Sequence, residues 1–206
     1  MKMATSEYNY LKGLCKGSGL HNATKALAFI LEHHGEQKRD DGSPYYAHVV
    51  KVASHLVSLN LFNDDREKLD VLISGALLHD VLEDTDVTAE LLAKTFNEEI
   101  TCVVQYLTKT GDLTNDGYYN NIRKNLLASL IKISDRCNNV STMAGVFSKA
   151  RLIRYVEETN TVVKSLIRHV RDNNPEISNQ VVNMSYHIKS VVSAIEVMLP
   201  LMKDDQ

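Results

Sequence analysis

Apolar residues recur along this chain at three- and four-residue intervals, the spacing that lines one face of an α-helix. A first helix is expected over Ser6–Lys16, and a second over His21–His34, with Leu27, Ile30 and Leu31 on one side. Gly35–Ser43 reads as a polar, breaker-rich loop. Pro44 then suits the first turn of a third helix, where its missing N–H costs nothing. Val49, Val52, Ala53 and Leu56 carry that helix to about Asn60. Asp64 and Asp65 look like caps for Arg66–Leu82, whose stripe is Leu69, Leu72, Ile73, Ala76 and Leu77. Asp86 or Thr88 starts the next helix, and Asn97 punctuates a pair ending near Leu107. Thr108–Asp116 is a loop, and Tyr118–Cys137 is expected as one helix along Ile122, Leu126, Leu127, Leu130, Ile131 and Ile133. Ser148–Asp172 and Pro175–Met202 close the chain. No segment alternates with period two, so the expectation is a single all-α domain spanning 1–206.

Composition narrows the class. A chain of 206 residues with 44% hydrophobic residues can bury one sizeable core but not two catalytic domains. No stretch approaches the roughly 20 apolar residues of a membrane span. The N-terminal MKMATSEYNYLKGL lacks a secretory apolar run. Cys15, Cys102 and Cys137 are odd in number and without ligand-like spacing, as reduced thiols would be. Together these features point to the cytosol. A net charge of −3 argues against broad nucleic-acid binding. It leaves room for a small anionic ligand, because a metal ion and a few arginines can reverse the field inside a cleft.

The segment Leu77–Thr85, LLHDVLEDT, asks for more than packing. His79 and Asp80 follow an apolar face, and Glu83 and Asp84 come four residues later, stacked on them if the helix continues. Three carboxylates at 80, 83 and 84 make a poor helix end unless a cation compensates; the plain alternative is a solvated acidic turn. Two other segments carry similar residues. Gly42–His48 places His48 one turn into a helix after a glycine-rich loop, and Asp135 and Asn139 lie four apart at the end of an apolar helix. A carboxylate in that setting is costly unless it is paired or metal-bound. Two imidazoles and two carboxylates suit Mn, Fe, Zn or a similar ion, and without thiolates a structural zinc site is not expected.

The order His48…His79-Asp80…Asp135 resembles the signature of the HD phosphohydrolase superfamily. The strings Arg39–His48, His79–Thr85 and Ile133–Asn139, with Leu107–Gly111 between the last two, resemble the hydrolase domain of RelA/SpoT-type enzymes. At this length the chain is most similar to stand-alone small alarmone hydrolases. The resemblance covers about Leu20 to Tyr155, giving a motif-bearing core at about 20–160 and C-terminal helices over 161–206. It implies an HD-type helical bundle that removes the 3′-pyrophosphate from (p)ppGpp, yielding GDP or GTP and pyrophosphate, with Mn²⁺. It implies His48, His79, Asp80 and Asp135 as metal ligands, and Glu83 and Asp84 as the pair that activates water. Arg39 would pack on guanine, and Asn139, Thr142, Arg136 and Tyr155 would line the nucleotide site. The partner implied is thus a small guanine nucleotide, with no nucleic acid or membrane; an oligomer remains open. The chain departs from the pattern at Asp40, where many relatives carry lysine or a small polar residue. Ser141 replaces a commonly basic residue, and the interval from Asp135 to Tyr155 is stretched. These departures keep two alternatives: a phosphatase of NADPH or another phosphorylated nucleotide, and a non-catalytic nucleotide-binding HD module.

Overall fold

Polar side chains cap several of the helix starts. In the computed structural model, which describes residues 2–111 and 113–203 (side chains of 2–4 excepted), α1 (Lys2–Gly17), α2 (His21–His33) and α3 (Tyr45–Ser58) come first. Then follow α4 (Arg66–Leu78), α5 (Val81–Asp84), α6 (Ala89–Thr95), α7 (Glu98–Leu107) and α8 (Asn115–Ile122). The chain ends with α9 (Leu126–Met143), α10 (Lys149–Glu158), α11 (Lys164–Asn173) and α12 (Ser178–Met198). Asp65, Thr88 and Asn97 each accept a backbone N–H three residues on, capping α4, α6 and α7 as expected. Among the described residues there is no strand beyond one isolated bridge between Lys38 and Pro44, so the all-α expectation holds. Asp112, within the expected loop Thr108–Asp116, lies outside the described residues, as do Met1 and 204–206.

α4 lies at the centre, packed on α2, α3, α7 and α9, while α12 and α11 cover the far side of α9. Gly75 allows this: a Cβ there would come within 2.9 Å of Val103 and 3.0 Å of Ile131, so α4 approaches α7 and α9 through a missing side chain. In α12, Val181, Met184, Ile188, Val192 and Ile195 are buried, whereas Val182 is exposed. Cys15 and Cys137 are buried free thiols, and Cys102 is an exposed one. No helix among the described residues is long and apolar enough to cross a membrane.

Three expected boundaries are corrected. Arg66–Leu82 is not one helix: α4 ends at Leu78, and Asp80, at φ −103° and ψ −2°, turns the chain before α5. The His79 ring donates from Nδ1 to the carbonyl of Ala76 at 2.8 Å and takes over the end of the helix. Tyr118–Cys137 is likewise two helices, because Asn125 leaves the helix and its side chain accepts from Ala128 N–H to start α9. Ser148–Asp172 is interrupted by a π-helical turn at Thr159–Val163.

Candidate active site

The turn at His79–Asp80 and the facing sides of α3 and α9 bring four residues to one point. Nε2 of His48 lies 3.2 Å from Oδ1 of Asp135 and 3.8 Å from Oδ2 of Asp80. Nε2 of His79 lies 2.9 Å from Oδ2 of Asp80 and 3.9 Å from Oδ1 of Asp135. Donor atoms of His48, His79 and Asp135 fall within 4.8 Å of one another, as a metal site requires. Each ring's other nitrogen is engaged behind it: His48 Nδ1–H donates to Asn138 Oδ1 at 2.7 Å, and His79 Nδ1–H to Ala76 O. Both ε lone pairs therefore face inward, the arrangement that outer hydrogen bonds impose on ligating histidines. His79 Nε2 is buried, and the Asp80 carboxylate, itself one of the cluster, is what it meets. A divalent cation fits this donor set of two imidazoles and two carboxylates.

The charges agree with such a site. Burial opposes ionisation of Asp135, yet Lys132 and His48 outweigh it and hold the carboxyl well below its usual range. For Asp80, burial is likewise outweighed by His79, and its pKa is lowered. Burial disfavours charge on His79, but the carboxylates of Asp80 and Asp135 raise its pKa to about 9. In the ligand-free site a proton thus stands where the cation would bind. Burial and then the Asp80 charge push the Tyr45 phenol up, so it stays a donor to Asp80 Oδ2 at 2.6 Å.

Above these residues opens a cleft of about 320 Å³, bounded by the loop before α3, by α9 and by α10. Arg39, Asn139, Thr142 and Tyr155 line it together with His48, Asp80 and Asp135, so these expected substrate residues share one wall with the metal ligands. Arg39 donates to Asn139 Oδ1 at 2.8 Å, and Asn139 Nδ2 donates to Asp135 Oδ1 at 2.7 Å. Asp40, the departure noted above, pairs with Arg151 at 2.5 Å across the cleft mouth. Glu83 and Asp84 are exposed, one turn beyond Asp80. Glu83 Oε1 accepts the N–H of Lys109, and Asp84 stands beside Tyr45.

Arg136 is not brought to the cleft. It is buried on the other side of α9, where it donates to Thr159 Oγ1 at 3.1 Å and Tyr119 Oη at 2.9 Å, pairs with Glu158 and stacks 4.0 Å above the Tyr155 ring. Among the cleft residues that the sequence reading left without a role are Tyr45, Lys132 and Phe147. Asn138, behind His48, was left without one too. Lys132 alone carried a usable signal, three residues before Asp135 on the same helix face.

Comparison with known proteins places this geometry. The chain is 37% identical over 150 residues to a guanosine-3′,5′-bis(diphosphate) 3′-pyrophosphohydrolase of Aquifex aeolicus, covering 69% of this chain and 20% of that protein. It is 31% identical over 153 residues to a probable enzyme of the same name from Synechocystis, covering 69% of this chain and 19% of that one. The chain thus spans about a fifth of the length of these curated relatives. A solved structure described as "A metazoan ortholog of SpoT hydrolyzes ppGpp and plays a role in starvation responses" shares the fold, with a TM-score of 0.62. It is 24% identical, and the match covers 79% of this chain and 93% of that one. A family model described as an HD domain matches residues 26–172, from α2 through α11 and including all four clustered residues; the chain belongs to the HD-domain family.

Proposed function

We propose that this protein is a Mn²⁺-dependent, cytosolic phosphohydrolase that removes the 3′-pyrophosphate of guanosine 3′,5′-bis(diphosphate), with residues 1–206 as one catalytic unit. The observation that carries this reading is the convergence of His48, His79, Asp80 and Asp135 at the floor of a cleft lined by Arg39 and Asn139. The names of the Aquifex and Synechocystis relatives supply the substrate. A bound divalent cation would neutralise phosphoryl oxygens and acidify water. The chain's own residues do the rest. Asp135 and Asp80 keep their charge against burial, and Asn138 and Ala76 fix the imidazoles. Glu83 or Asp84 accepts a proton from the attacking water. The water oxygen bonds to the phosphorus on the ribose 3′ oxygen, that P–O bond breaks, and the 3′ oxygen departs with a proton. The products are GDP and pyrophosphate. Arg39, released from Asn139, would lay its guanidinium on the base.

A second reading has one observation behind it. The Asp40–Arg151 pair withdraws a cation from the cleft mouth, which suits a less charged substrate such as NADPH. Incubating the Mn²⁺-loaded protein with ppGpp, pppGpp and NADPH and weighing the products separates the two. Pyrophosphate with GDP or GTP supports the first reading; orthophosphate from NADPH alone supports the second.

A further inference from the structure

Lys132 enters the cleft from α9, three residues before Asp135 and on the same face. Its ammonium is 3.1 Å from Oδ2 of Asp135. That oxygen is the outer one, since Oδ1 faces the two histidines. The side chain is 18% exposed, and the Tyr118 ring shields it at 5.5 Å. An ammonium has three N–H donors. The bond to Asp135 is its one hydrogen bond among the described residues, so two donors are left. The charges of Asp80 and of Glu83 act on it as well. A cation with two unengaged donors thus stands in the cleft beside the metal ligand Asp135, within electrostatic reach of Asp80 and Glu83.

Resting on the phosphohydrolase reading, we propose that Lys132 is a further catalytic residue: one N–H keeps Asp135 oriented while the others bind a non-bridging oxygen of the phosphoryl group under attack. Charge on that oxygen is redistributed as the P–O bond to the ribose breaks. A preplaced ammonium stabilises it without reorganising. Holding Asp135 alone would need one donor and would leave the cleft side of the ammonium without a role.

Lys132→Met and Lys132→Gln separate touching phosphate from holding Asp135; the glutamine keeps an N–H donor without the charge. Three quantities are measured on each preparation: metal affinity, the Kd of inorganic pyrophosphate for the metal-loaded protein, and turnover. The expected result is metal affinity lowered by about 10–100-fold, the usual cost of losing a residue behind a ligand, so that excess metal still loads the variants. Pyrophosphate should bind at least about tenfold more weakly and kcat should fall by about 10²-fold or more, the scale of one lost electrostatic donor. Unchanged pyrophosphate binding in metal-loaded variants overturns the proposal and leaves Lys132 a positioning residue for Asp135. Should neither variant fold, the ¹⁵Nζ resonance of Lys132 is followed in wild type loaded with Mg²⁺ or Zn²⁺. It should shift when pyrophosphate is added, and an unmoved resonance overturns the proposal. If the wild type turns over no guanosine nucleotide, the substrate reading fails while the pyrophosphate measurements still decide Lys132.

Discussion

Asn138 Oδ1 stands 2.7 Å from Nδ1 of His48, so an asparagine on α9 fixes which nitrogen of a histidine on α3 faces the metal cluster. Neither residue could set the site alone. Without that acceptor the ring can rotate or change tautomer, and its ε lone pair is no longer held inward. Asn138→Ala should therefore weaken metal binding by about 10–100-fold with the fold intact. Titration calorimetry with the metal, alongside circular dichroism, checks this.

Protons compete with the metal at His79. Against burial, the carboxylates of Asp80 and Asp135 hold its pKa at about 9, above the ordinary imidazole value of about 6.5. Because the folded value is raised, protonation of His79 stabilises the metal-free protein fully below about pH 6.5. That contribution is lost as pH rises through about 9. Metal binding has the opposite slope: the proton must leave, so apparent affinity should rise by up to about tenfold per pH unit across this window. Calorimetry in buffers of different ionisation enthalpy should show about one proton released near pH 7.5. No proton release would mean that His79 is already neutral in the metal-free site.

Glu83→Gln and Asp84→Asn keep size and remove a proton acceptor. If the pair serves water, each variant should retain metal and nucleotide affinity while turnover falls by about 10²–10⁴-fold. Glutamine at 83 can still accept the Lys109 N–H through its carbonyl oxygen, so that loop contact should survive. Wild-type rates in both variants would reduce the pair to an acidic turn.

Arg136 should behave as a structural residue. Arg136→Ala removes one partner each from Tyr119, Thr159 and Glu158, and should cost about 1–3 kcal/mol in urea unfolding. KM for a nucleotide should stay within about twofold, because the guanidinium points away from the cleft. Arg39→Ala should do the reverse, raising KM several-fold to about 30-fold with little loss of stability.

This contrast shows what the sequence could and could not convey. Arg136 follows Asp135 directly, but consecutive helical residues point about 100° apart, so one faces the cleft and the other the α8–α10 side. Adjacency within a motif string was mistaken for adjacency in space. The convergence of His48, His79, Asp80 and Asp135 was legible because their order matches the HD signature, and His79 and Asp80 also follow directly on the apolar stripe of α4. The break at His79–Asp80 was not, since Val81 and Leu82 prolong the apolar pattern past it. Stacking of Glu83 and Asp84 on the first pair was inferred from an unbroken helix that is not there. Asn125 did carry a signal, a capping side chain directly before the apolar run of α9, which the longer hydrophobic stripe obscured. Asn138 carried none, because its role depends on where the His48 ring lies on another helix.

Hydrolysis at the phosphorus carried by the ribose 3′ oxygen leaves its mark in the position of the new bond. ppGpp is incubated with the Mn²⁺-loaded protein in H₂¹⁸O, and the products are weighed. Attack at that phosphorus predicts one ¹⁸O in the released pyrophosphate and none in GDP. Label in GDP, orthophosphate as the released product, or no turnover above a metal-free control would contradict it.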